Sequence, residues 1–88
     1  MPILNKVGVA RQTTLMAQLC KEAVEEAQAL IGEEREERVK DAHLFSRELA
    51  CWIQFAGHKG WHTVVRHGMA QHELALAALE QLDVSALH

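Results

Sequence analysis

Apolar residues recur at alternating steps of four and three along separate stretches of the chain, the period of an α-helix with one buried face. In the first stretch Thr13, Ala17, Cys20, Val24, Ala27 and Ile31 form the stripe, widened by Met16, Leu19, Ala23 and Leu30. Lys21, Glu22, Glu25 and Gln28 make the wet face, so the pattern predicts a helix from about Val9 or Thr13 to Ile31. Thr13 or Thr14 is placed to cap it, which leaves residues 1–12 as a loose N-terminal arm. Gly32 suits the left-handed residue just past a helix end, and Glu33 and Glu34 suit the positive start of the next helix. A single helix kinked at Gly32 is the alternative.

The second stretch predicts a helix over about Glu33 to Ala56 with two characters. Glu33 to Asp41 is nearly all charge and reads as a solvated end. Beyond it Leu44, Phe45, Leu49, Ala50, Cys51, Trp52, Ile53, Phe55 and Ala56 point in every direction around the axis. A helix apolar all round is buried all round, and two flanking helices of one chain cover about half of that circumference. Gly57-His58-Lys59-Gly60 then reads as a helix–helix turn.

The third helix is expected from Trp61 or Val64 to about Leu82. Trp61, Val65, Gly68, His72, Ala75, Leu79 and Leu82 form its stripe, with Val64, Met69 and Leu76 beside it. Gly68 either permits a close helix approach or splits the helix, since glycine costs about 1 kcal/mol against alanine there. Residues 84–88 are expected to fray.

The fold class that follows is all-α: a three-helix bundle, or a helical hairpin plus a third helix, in one domain completed by homo-oligomerisation. A chain of 88 residues is only marginally able to bury enough surface alone. Trp52, Phe55 and Trp61, with Phe45 and Leu49, are the expected interaction anchors, because aromatic side chains dominate interface energetics.

Composition narrows the classes. With 49% hydrophobic and 24% charged residues the balance is globular rather than disordered. A formal charge of −3 argues against a large nucleic-acid or anionic-membrane footprint, which needs clustered Lys and Arg. Cys20 and Cys51 both sit in apolar helical pattern without the close spacing of a metal or redox pair, and read as small core residues. Met1 to Gly8 lack the apolar run of a secretory signal and no stretch approaches membrane-spanning length, so a cytoplasmic chain is expected.

Candidate chemistry begins with the histidines. His62, His67 and His72 point in different directions at about 100° per residue, and glycines separate His58 from His62. They predict no metal site within one chain. His72 lies at the centre of the third stripe, where a buried polar group sets register in an oligomer. A buried neutral His72 would make the assembly acid-sensitive as pH falls through about 6.5.

The run Glu33, Glu34, Glu36, Glu37 and Asp41 is interleaved with Arg35, Arg38 and Lys40 and reads as an ion-paired, solvated face. Lys21-Glu22-Ala23-Val24-Glu25, followed by Glu37 and Asp41, resembles the all-α nucleoside triphosphate pyrophosphohydrolases of the MazG type. That family takes metal on Glu-Glu-x-x-Glu from one helix and Glu-x-x-Asp from the next. The resemblance implies Glu22, Glu25, Glu37 and Asp41 as Mg²⁺ ligands on a nucleotide's phosphates. Lys21 stands where the family has its first acid, and Glu37 to Asp41 is one residue longer than the motif.

Lys59, Trp61 and Arg66 suggest a small helical nucleic-acid-binding regulator, with Ala56 and Gly60 at helix-turn-helix spacing. The presumed recognition helix carries one arginine and no Asn or Gln before Gln71, poor equipment for base edges. No nucleophile is placed beside a base: Ser46 is in the second helix, Ser85 in the tail, and Cys51 has no cation to lower its pKa. The reading the pattern supports best is a non-enzymatic protein–protein interaction module, an adaptor, small inhibitor or assembly factor, acting as an oligomeric bundle. It is expected to need no cofactor, to be a homo-oligomer with a protein partner, and to bind neither nucleic acid nor membrane. The pyrophosphohydrolase and the nucleic-acid regulator are the alternatives.

Overall fold

A computed structural model describes residues 5–86, with side chains described as far as Leu82. The first helix, α1, spans Lys6–Ala29 and starts earlier than the pattern predicts. Asn5 is its cap: extended backbone, with the side-chain oxygen accepting from the Gly8 N–H at 2.7 Å. Most of the expected arm is therefore the first two turns of α1, held down by Val9, which is fully buried against Ala56 and Val64. Residues 1–4 lie outside the described part. Thr13 caps nothing: it is buried in mid-helix, and its hydroxyl donates to the Ala10 carbonyl at 2.7 Å.

Leu30 and Ile31 are extended and break the chain ahead of Gly32, so the kinked-helix alternative does not hold. Gly32, at φ +67°, is the first residue of α2, Gly32–His58. Ile31, expected in the buried stripe, is 88% exposed, because the helix that would have turned it inward has ended at Ala29. Glu33 and Glu34 occupy the first turn of α2, where the helix dipole favours them.

The turn into α3, His62–Ala86, is a Schellman motif. The Trp61 N–H bonds the Ala56 carbonyl at 3.0 Å and the Gly60 N–H bonds the Gly57 carbonyl at 3.1 Å. Gly60 takes φ +73°, which a side chain would resist. α3 is helical as far as Ala86 within the tail 84–88; residues 87 and 88 lie outside the described part.

Contacts fix the topology. The Cys20 thiol donates to the Ala42 carbonyl, Arg38 pairs with Glu26 and Arg35 reaches Ala27, so α1 and α2 are antiparallel. Ser46 meets His72, and Ile53 abuts Gly68, so α2 and α3 are antiparallel too, and α1 runs parallel to α3. The three helices pack together, without strands among the described residues. Helices of this length make the molecule long, 43 × 22 × 14 Å, with a radius of gyration of 14.0 Å, where about 12 Å is usual for the size.

Two apolar clusters fill the interior. At one end Cys20, Ala23, Val24, Ala27, Ala42, Ala75, Leu79 and Leu82 pack together, with Phe45 partly buried against them. At the other, Val9, Ala56 and Val64 sit beneath Trp52, Phe55 and Trp61. The narrow waist between them has Gly68 at its centre: a Cβ there would lie 2.7 Å from Ile53 Cγ1 and 3.7 Å from Thr13 Cγ2. Gly68 thus permits the close approach and does not split α3.

The middle helix is covered better than its composition suggests. Leu49 and Ala56 are fully buried, and Phe45, Ala50, Trp52, Ile53 and Phe55 are half-buried. Only Leu44 and Cys51 of that apolar set are exposed. α2 packs on both neighbours along its length, so the flanking helices cover more than half of it.

Candidate interaction surface

Of the expected anchors, Phe45, Trp52, Phe55 and Trp61 are half-buried. Leu49 is fully buried within the chain. Phe55 and Trp61 form the hydrophobic contact that accompanies the Schellman turn, with ring centroids 6.1 Å apart and an interplanar angle of 68°. Trp52 meets Phe55 edge-on at 6.1 Å, and the Lys59 ammonium lies 5.6 Å from the Phe55 centroid. Half-buried as they are, these rings close one end of the bundle.

His72 is also half-buried, its Nε2 hydrogen-bonded to the Ser46 hydroxyl at 3.3 Å. Ser46 and Thr13 are the buried polar residues of the interior. Cys20 is buried, which pushes its thiol pKa up, whereas Cys51, expected in the core, is exposed.

Among the described residues no three His, Cys, Asp or Glu side chains gather where they could hold a metal ion. Glu22, Glu25, Glu37 and Asp41 are therefore not brought together as the pyrophosphohydrolase resemblance implies. Asp41 instead pairs with Arg38 at 2.7 Å, and Arg38 also pairs with Glu26. The hydrogen bond to Asp41 is the main reason the Arg38 pKa is raised. Arg35, read as part of the charged face, donates to the Ala27 carbonyl at 2.9 Å and to the Leu82 carbonyl at 3.4 Å. It ties the ends of α1 and α3 to the start of α2.

Val7, Leu15 and Leu74 are exposed together between α1 and α3, while Ile31, Leu44, Met69 and Leu76 are exposed outside that surface. A groove between α1 and α3 is walled by Val7, Ala10, Leu15 and Val64 at one end and by Ala17, Leu74, Ala75 and Ala78 at the other, with Thr14 and Gln18 common to both. Leu74 is 74% exposed and Val7 60%. Lys6, Arg11, Lys21 and His67 also line it, and no acidic side chain does. Gln71 Oε1, in the same wall, is buried with no hydrogen-bond donor among the described residues. An orphaned buried acceptor of this kind costs about 1–3 kcal/mol.

Charge is segregated along the bundle. All twelve acidic residues fall within Glu22–Glu48 and Glu73–Asp83. Lys6, Arg11, Lys59 and Arg66 share the opposite end with no Asp or Glu. That end carries four positive charges, and the remainder a net seven negative ones. Sequence reasoning missed the groove because it assigned Lys6 and Val7 to an arm, although the acid-free stretch Leu49–His72 was a signal for the charged end.

Comparison with protein-family models, curated proteins and solved structures finds no match to this chain. Among the described residues no helix is long and apolar enough to cross a membrane.

Proposed function

We propose that this protein is a helical protein–protein interaction module, without catalytic activity of its own, that works through the groove between α1 and α3. The observation that carries the reading is the uncovered apolar face around Leu74, Leu15 and Val7, in a chain whose other large apolar side chains are mostly packed inside. Contiguous exposed apolar surface rimmed by polar groups is the usual mark of a docking site. The groove runs straight between two parallel helices, the shape that receives a helix laid along it.

The test is site-specific photo-crosslinking in the native host, with the crosslinker at position 74 in the groove or at position 44, exposed on α2. A partner chain should be captured from position 74 and not from 44. A folded Leu74→Glu variant should no longer co-purify with it. Equal capture at both positions, or a complex indifferent to Leu74→Glu, would refute the reading.

A further inference from the structure

We infer that the face formed by α1 and α3 packs against the same face of a second copy of this chain, antiparallel about a two-fold axis at the level of Gln18 and Leu74. The inference rests on the interaction-module reading and names its partner. Its first support is the charge pattern. On the groove side of α1, Lys6 and Arg11 precede Gln18, while Glu22 and Glu25, beyond the groove's lining but on the same face, follow it together with Lys21. A second copy turned end for end presents the opposite sign at both, because symmetry pairs each half with the other.

Residue register makes this specific. Arg11, Thr14, Gln18 and Lys21 lie on the groove side of α1, and Glu25 follows Gln18 by two helical turns on that side. A two-fold axis across α1 at Gln18 sets Gln18 against itself and Arg11 against Glu25 of the second copy. The same axis crosses α3 at Leu74, which meets its own copy. A parallel two-fold would instead lay α1 against the partner's α3 and bring together the two ends that carry Lys6, Arg11, Lys59 and Arg66. Like charges would then meet like.

The second support is that the charge pattern opposes the helices that carry it. α1 and α3 have no acidic residue in the first turn and no basic residue in the last. Helix dipoles favour the reverse, so the stability of the single chain does not account for the arrangement, whereas a partner of opposite sign does. The third support is size. Two adjacent helices about 20 Å wide along a 43 Å molecule offer a face of roughly 800 Å² per chain, the per-partner area of a standard stable interface.

The test combines native mass with disulfide trapping in a Cys51→Ala background. Sedimentation should show a dimer at about 100 μM. Its dissociation constant should rise about tenfold between 0.1 M and 1 M salt, as the Debye length shrinks from about 10 to about 3 Å. Gln18→Cys should form a disulfide-linked homodimer on oxidation. Arg11→Cys should link to Glu25→Cys in a mixture but not to itself. Arg11→Glu should weaken the dimer about tenfold, and adding Glu25→Arg should restore it. Leu74→Glu, a change at an exposed position that leaves the fold intact, should give monomers.

A wild-type monomer at that concentration, a dimer that does not trap at position 18, or one that survives Leu74→Glu would overturn the inference. So would a monomer that retards DNA in a salt-sensitive way through Lys6 and Arg11. If the chain is monomeric yet position 74 captures a different protein, the module reading stands and the second copy is refuted. If position 74 captures nothing, both fall.

Discussion

Replacing Gly68 by alanine pits two large local effects against each other, and the structure says which wins. In an open helix the change would stabilise by about 1 kcal/mol through helix propensity. At the waist of this bundle the added Cβ would stand 2.7 Å from Ile53 Cγ1 and 3.3 Å from its Cδ1. Carbon atoms are comfortable at about 3.5–4.0 Å, so α2 and α3 must separate or Ile53 must change rotamer. Cγ1 is one bond from the Ile53 Cβ and cannot simply swing aside as the end of a long side chain would. Overpacking of this kind costs about 1–3 kcal/mol. The expected net effect is a loss of about 1 kcal/mol, or roughly 4–8 °C in Tm for a domain of this size. In an Ile53→Ala background the obstacle is gone, and the same substitution should stabilise by about 1 kcal/mol. Urea unfolding of the four proteins followed by far-UV circular dichroism gives the cycle, with a coupling of about 2 kcal/mol expected. If Gly68→Ala stabilises both backgrounds alike, the close approach is not what the glycine serves.

Three further outcomes follow from local geometry. Gly60→Ala forces a side chain into φ +73° with nothing within 4 Å to clash, so its cost is conformational, about 1–2 kcal/mol, and Gly60→Asn should recover part of it; equal thermal midpoints for glycine and alanine would refute the Schellman assignment. Asn5→Ala should cost about 1 kcal/mol and speed amide exchange at Gly8 and Val9; unchanged exchange would mean that Asn5 is no cap. For Cys20, burial raises the thiol pKa above its ordinary 9.0, so the folded state holds its proton more tightly than the unfolded chain. Stability from this group is complete below that value and is lost as pH rises past it, so the decline above about pH 9 should flatten in Cys20→Ala. A thiol reagent should label exposed Cys51 quickly and Cys20 only on unfolding, and equal labelling rates would contradict the burial.

α1 and α3 were legible because four–three spacing survives in both and most of each buries the expected stripe, and α2 because glycines bracket its charged and apolar halves. Boundaries were less legible for a physical reason. Asn5 and Thr13 are both good caps, and the choice depends on whether Val9 has somewhere to bury. Ala56 and Val64 supply that place from residues about fifty positions away. Ile31 shows the converse: its spacing is correct for the stripe, but two extended residues turn the chain before it can use it. Arg35 was unreadable in the same sense, since its partners are carbonyls of two other helices.

The apolar residues exposed at the groove were present in the sequence, on a different helix from the conspicuous one. Leu44 to Ala56 is the conspicuous apolar stretch, yet a helix that packs on both neighbours along its length needs apolar residues on most sides. Leu74 to Leu79 is an unbroken apolar run of leucine and alanine on α3. Ala75 and Leu79 enter the core, while Leu74 and Leu76 stay exposed. Alanines let α1 and α3 lie close without covering the surface beside them, which leaves Leu74 standing at the groove. Periodicity states how wide an apolar stripe is, and only the packing angle states which part of it a neighbour covers. A substitution at Leu74 therefore leaves the core untouched, whereas one at Trp52 or Phe55 disturbs the end of the bundle first.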